Sequence, residues 1–268
     1  MSGKAKHGKS RNGPRARGSG DKKPLLTLNS VVVDPDDLKA HFKRAGRSVD
    51  NDNWAIRIHR SISWYRRAMN MARSPEMVHE LEDAEFIFLW IALSALFGTW
   101  DANDRRPAQE GQAMRDFLVM LEELDQGHVL PDCVGQILPT ANRLRGHQYL
   151  CPDFWRNPFD PSLSRQLEAY KSPGKGKPFG RKEGYRILHD TLLRIYTLRG
   201  QVVHGSSTSG GRLNRKMIRD ALRFLERVMP AILNVVIEYG ALVEWPALCY
   251  PPVDPSDKKS LEALTTQG

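Results

Sequence analysis

The chain has 268 residues, 40 of them Lys or Arg and 31 Asp or Glu, and its formal net charge is +9. Residues 1–23 alone carry +7, so the other 245 residues net only +2, and charge by itself does not make the folded part a nucleic-acid binder. The longest strongly apolar run, Phe86 to Phe97, is 12 residues against the ~20 a bilayer crossing needs, and no apolar segment follows the N-terminal charges as in a secretory signal, so a cytoplasmic protein without a membrane partner is expected.

Residues 1–24 are Gly, Ser, Lys and Arg without periodic apolar positions, the composition of a disordered basic tail. A lead-in follows over 25–50. Leu25 to Val33 is compatible with a β-strand, and Asp34-Pro35 reads as an N-cap with proline at the first helical position, opening a short helix to about Arg44. From Asn53 the helical signal is strong, with Trp54, Ile58, Ile62, Tyr65 and Met69 at three- and four-residue steps and Asn51 to Asn53 as caps.

Ser74-Pro75-Glu76 opens the next helix by the same logic, and Gly98 is placed as its left-handed terminating residue. The half from Phe86 to Phe97 is apolar on every side, the pattern of a helix at the centre of a bundle. Trp64, Trp90 and Phe86 fall at core spacing, so no aromatic stacking platform is evident. A third amphipathic helix runs near Gln109 to Asp125.

Residues 127–182 read as an irregular, proline-rich insertion. Pro131, Pro139, Pro152, Pro158 and Pro161 allow only short helices there, such as Ser162 to Tyr170. Lys171 to Lys182 reads as a flexible basic loop. Long helices from about Glu183 to Val203 and from about Leu213 to Leu242 close the chain, the second with Pro230 as a kink. The expected fold is an all-α helical bundle of four to five long helices over 51–245, with a C-terminal tail over 246–268.

Several motifs fail. Gly174-Lys-Gly176 is followed by Phe179 where a dinucleotide fingerprint needs glycine, and Lys177 by Pro178 where a P-loop needs Ser or Thr. Glu76-Met-Val-His79 matches half of a di-iron site, but its partner motif is missing. Gly205 to Gly210 does not fit the nucleophile elbow and reads as a helix–helix linker. Cys133, Cys151 and Cys249 lie far apart in odd number, which fits neither a disulfide framework nor a zinc ribbon and suits a reducing compartment. No metal ligand set and no cofactor are expected.

Arg199-Gly-Gln-Val-Val-His204-Gly205 remains. With 26 Arg and 8 His in the chain, about 0.8 matches to R-x4-H arise by chance, so spacing alone decides nothing. The context is more specific. The motif closes a long amphipathic helix, Gly205 stops it, a Ser/Gly linker follows and another long helix returns. The apolar helix through Trp90 and Gly98 lies upstream.

This combination resembles the HEPN superfamily, and within it the Apea-like branch, whose last core helices carry Tyr-x-x-Arg-x-x-x-x-His-Gly. Tyr196, Arg199, His204 and Gly205 hold those positions here. The resemblance covers roughly residues 54–242, interrupted over 127–182. Where many such nucleases have a polar residue after the arginine this chain has Gly200, and where Apea-like members often have Glu it has Ser94.

The motif supports metal-independent RNA cleavage. A histidine can take a proton from a ribose 2′-hydroxyl or give one to the departing 5′-oxygen, and a guanidinium can grip two phosphate oxygens. On an ideal helix, at about 100° per residue, Arg199 and His204 point roughly 140° apart. They converge if Gly200 loosens the turn, or if two copies meet across a dimer axis. The resemblance implies the second: a homodimer with a composite cleft, acting on RNA in toxin or anti-phage defence and neutralised by a separate antitoxin or defence-system partner.

Alternatively His204 only interacts with the last carbonyls of its helix, and Arg199 with the helix dipole, in an inactive module that binds RNA, a nucleotide or a protein. A scaffold packing its apolar helices on another protein is a third reading. Lys171, Lys175, Lys177, Arg181 and Lys182 are the candidates for gripping RNA phosphates, with the basic tail as an accessory.

Overall fold

The computed structural model describes residues 25–46, 51–73, 81–171, 180–206, 211–212 and 214–250, Lys171 without its side chain. Among them ten α-helices and one two-residue-per-strand hairpin give the all-α class expected. Five helices are long: α2 (Asp52–Ala72), α3 (Glu82–Phe97), α4 (Glu110–Leu124), α9 (Arg181–Val203) and α10 (Arg215–Tyr239).

Local chemistry starts the first two helices where the sequence indicates. In α1 (Pro35–Ala45), Asp34 accepts from the Asp36 amide at 2.8 Å with Pro35 at the first position. Asn51 caps α2 by accepting from the Trp54 amide at 3.1 Å. The expected opening at Ser74, and the Glu76-to-His79 motif, lie outside the described residues.

The centre is α10, against which α1 to α6 and α9 pack. Its run from Val228 to Ile237 is entirely buried, and Pro230 is accommodated inside the helix. α3 lies along α2 and touches α10, and none of its residues is fully exposed, as a helix apolar on every side requires.

Five expectations change. Leu25 to Val33 is not a strand: a 3₁₀ turn spans Leu28–Ser30, and the Val32 backbone pairs with a side chain instead. Asn234 accepts from the Val32 amide at 3.1 Å and donates to its carbonyl at 2.8 Å, imitating a neighbouring strand. Gly98 is extended (φ −60°, ψ 123°), not left-handed, because the chain turns directly into the hairpin β1 (Trp100–Asp101) and β2 (Arg106–Pro107). Trp64 is 37% exposed and packs on Phe88, not in the core.

The fourth concerns 127–182, which holds α5 (Val129–Gln136), α6 (Leu138–Arg145), a 3₁₀ turn at Gln148–Leu150, α7 (Pro152–Arg156) and α8 (Pro161–Lys171). Val129, Leu130, Val134, Ala141 and Leu144 are fully buried, so α5 and α6 belong to the main core. The buried Asp125 carboxylate starts α5 by accepting from the Val129 and Leu130 amides at 2.9 and 2.8 Å, and Tyr185 of α9 donates to it at 2.8 Å. Arg181 and Lys182, read as loop, form the first turn of α9.

Residues 246–250, read as the start of a tail, are tied down. The buried Arg57 guanidinium donates to the carbonyls of Leu96, Gly98, Pro246 and Ala247 at 3.3, 2.5, 2.9 and 3.1 Å. Arg60 reaches those of Cys249 and Tyr250. The three cysteines are unpaired.

Candidate functional site

α9 delivers both residues of the R-x4-H motif. Gly200 does not loosen it: the His204 amide donates to the Gly200 carbonyl at 3.0 Å, a regular helical bond. The helix then ends in a Schellman motif, the Gly205 amide on the Val202 carbonyl at 3.2 Å and the Ser206 amide on the Gln201 carbonyl at 2.9 Å. Gly205 is left-handed with φ +70°, the conformation that favours glycine. Those carbonyls are therefore capped by backbone, and the exposed His204 imidazole is not used to close its helix.

Arg199 is held by an acid that the sequence reading did not single out. Its Nη1 is 3.1 Å from Oε2 of Glu110, in the first turn of α4. The other oxygen of Glu110 accepts from Trp90 Nε1 at 3.1 Å. The Arg199 guanidinium lies 6.0 Å from the Trp90 ring centre, and Tyr196 packs on that ring at 5.9 Å. Three helices thus position one guanidinium: α3 through Trp90, α4 through Glu110 and α9 through its own backbone.

Arg199 and His204 open into one cleft of about 680 Å³, shared with Tyr149, Pro152, Trp155, Gln201 and Asn214. Both side chains line this one cleft, although an ideal helix points them roughly 140° apart; His204 is the capping residue, with φ −88° and ψ 12°. Gln201 donates to the Tyr149 carbonyl at 2.7 Å, and Asn214 to the Gln201 side chain at 3.0 Å. Trp155 Nε1 donates to that same carbonyl at 2.9 Å. These bonds fix the Gln148–Leu150 turn and α7 against the end of α9.

The rim is aromatic. Tyr149 and Trp155 are 46% and 59% exposed, with ring centres 6.1 Å apart, and Phe154 packs on both. Exposed aromatic rings therefore line this cleft, although no stacking platform is evident from the sequence. No helical period marks these residues, because they sit in a turn and a five-residue helix.

On its other side Arg199 lines a second cleft of about 510 Å³ with Arg57, Arg60, Ser94, Glu110 and Cys249. The Ser94 hydroxyl is buried there without a hydrogen-bond partner.

The candidate phosphate-gripping residues are not brought to this cleft. Arg181 lies 18 residues before Arg199 on α9, about 27 Å along the helix at 1.5 Å per residue. It is engaged with the Glu122 carbonyl at 3.2 Å and the Tyr185 ring at 5.6 Å. Lys182 is exposed beside it. Lys175 and Lys177 lie outside the described residues, as does the side chain of Lys171. Among the described residues no group of three or more His, Cys, Asp or Glu is placed to hold a metal ion. No described helix is long and apolar enough to cross a membrane. Compared with family models, curated proteins and solved structures, the chain matches none.

Proposed function

We propose that this chain is a HEPN-type endoribonuclease that cleaves RNA without a metal ion. The observation that carries the reading is the shared cleft: Arg199 and an uncommitted His204 face the same space beneath an aromatic rim. His204 takes the proton of a ribose 2′-hydroxyl, and the 2′-oxygen attacks the adjacent phosphorus. The bond from phosphorus to the 5′-oxygen breaks, leaving a 2′,3′-cyclic phosphate and a 5′-hydroxyl. Arg199 commits Nη1 to Glu110 and keeps other N–H donors for the phosphate oxygens on which charge develops.

One imidazole takes a proton or gives one, so a second group must serve the 5′-oxygen. His204 is exposed at the end of its helix, where a second copy of the chain can bring its own His204 across a two-fold axis. A role in toxin or anti-phage defence, with a neutralising partner, follows from the HEPN resemblance.

The Glu110–Arg199 ion pair favours a second reading, an inactive module that binds RNA, a nucleotide or a protein partner with its guanidinium already neutralised. One experiment separates the two. Purified wild type, Arg199→Ala and His204→Ala are incubated with single-stranded and structured RNA, and the ends are mapped. The nuclease reading expects cyclic-phosphate ends from the wild type and a loss of about 100-fold or more in each variant. Cleavage undiminished in both ends it; RNA bound but uncut by the wild type supports the second reading. Overexpression should be toxic and His204→Ala should relieve it.

A further inference from the structure

The first half of α10 carries a stripe of cations, Arg215, Lys216, Arg219 and Arg223, at three- and four-residue steps that place them on one face, with Arg212 just ahead of the helix beside them. This is an electrostatically costly design. Like charges three or four apart repel, and the N-terminal end of a helix disfavours cations; no acid sits in the first turn to compensate.

With Arg143 of α6, these residues line a groove of about 730 Å³, in which Asp220 is the only acid among the described lining residues. Part of the charge is anchored. Arg143 holds Asp220 through two bonds at 2.9 and 2.7 Å, and Arg215 and Arg219 lean on Glu82 and Asp83 of α3. Arg223 touches Asp220 at 3.4 Å, while Arg212 and Lys216 form no ion pair among the described residues. The groove remains a cationic track about 12 Å long over the helical part from Arg215 to Arg223, with Arg212 beyond it.

The track connects with the cleft. Arg143 and Lys216 also line the adjoining hollow, whose wall includes Tyr170 and His147. The His147 ring lies 5.8 Å from Tyr149, a rim residue of the Arg199/His204 cleft, and its Nδ1 is buried without a partner. Burial, then the nearby Lys216 charge, push its pKa down, so this link is a polar ring and not another cation. Stacking surface, polar ring and cations therefore follow one another along one face of the molecule.

Resting on the ribonuclease reading of the cleft, we infer that this face is the binding path of single-stranded RNA, its bases stacking on Tyr149 and Trp155 and its phosphates running along Lys216, Arg212 and Arg223. A single strand is favoured over a duplex because stacking needs unpaired bases. The cations contribute affinity and salt dependence without reading sequence.

The test uses the full chain carrying His204→Ala, so that RNA is bound and not consumed. Affinity for a fluorescent single-stranded RNA is measured against salt concentration. Changing the exposed Arg212, Lys216 and Arg223 together to Ala should lower the slope of log affinity against log salt by about 2, at about 0.7 per phosphate contact. Changing Lys43, Arg44 and Arg105, exposed on α1 and the hairpin turn, should leave the slope unaltered. Trp155→Ala should weaken single-strand binding about tenfold and duplex binding little, and Trp155→Phe should restore it.

An unchanged slope in the groove variant, or an equal fall in the control variant, overturns the track, as does a Trp155→Ala protein that binds as tightly as its parent. The cleavage reading is judged separately, by cyclic-phosphate ends in the His204-containing protein. Track and chemistry can therefore fail independently.

Discussion

Two glycines five positions apart, one inside α9 and one just past its end, show how differently one residue type can serve. A Cβ added at Gly200 meets nothing within 4 Å, and the residue is regular helix, so alanine there removes only the flexibility penalty of glycine. Gly200→Ala should stabilise the protein by about 0.5–1 kcal/mol. A Cβ at Gly205 is equally unhindered, but the residue sits at φ +70° and closes the helix. Gly205→Ala should cost about 1 kcal/mol or more. Thermal unfolding reads both: opposite shifts of a few degrees are expected. Shifts of the same sign would contradict the backbone account of the motif. Gly200 also lines the cleft, so on the proposed ribonuclease function its alanine variant should bind RNA more weakly while melting higher.

At the scale of elements, α2 does more than pack on α3. Burial pulls the Arg57 guanidinium down to about 10, still charged at neutral pH, and it lies 5.6 Å from the Trp245 ring. Its four carbonyl acceptors come from two separate segments, so one side chain fastens the end of α3 to residues 246–247. Arg57→Met keeps most of the volume and leaves those carbonyls without their donor. A loss of about 3 kcal/mol or more is expected, with limited proteolysis cutting within 244–250 before the rest of the chain opens. A variant as resistant as its parent would mean that Trp245, Leu248 and the Arg60 bonds hold the segment without Arg57. The five long helices were readable because each carries an apolar stripe or run. α5 and α6 were not, because Pro131 and Pro139 were read as breakers, whereas both lie in first turns, where a missing N–H costs nothing. The R-x4-H motif was legible as adjacency and a terminating glycine. Its partners Glu110, Tyr149 and Trp155 come from other elements, and no spacing along the chain relates them to it.

At the scale of the whole molecule, subtracting charges gave a nearly neutral body but averaged away position: the cations of α10 gather on one face. The reverse charge matters too. Glu85 is 7% exposed between α3 and α10, and burial, then its hydrogen bond and repulsion with Glu226, raise its carboxyl from 4.5 to about 8. The folded chain therefore keeps a proton there that the unfolded chain releases near 4.5. The contribution of Glu85 to stability is full below that value and is lost as pH rises to about 8, by at most about 1.4 kcal/mol per pH unit. Melting temperature against pH should show this decline, and Glu85→Gln should flatten it; an unaltered profile would assign the decline elsewhere. The placement of α10 has a further consequence, in the order of synthesis. The helix at the centre of the core is the last long one in the chain, and α3, apolar on every side, is among the first. Roughly 120 residues separate the end of α3 from the start of α10, about 6–24 s of translation at usual rates. During that interval α3 has α2 to lie against but not α10, so a nascent chain stalled before residue 215 exposes a ready surface for chaperones and for aggregation.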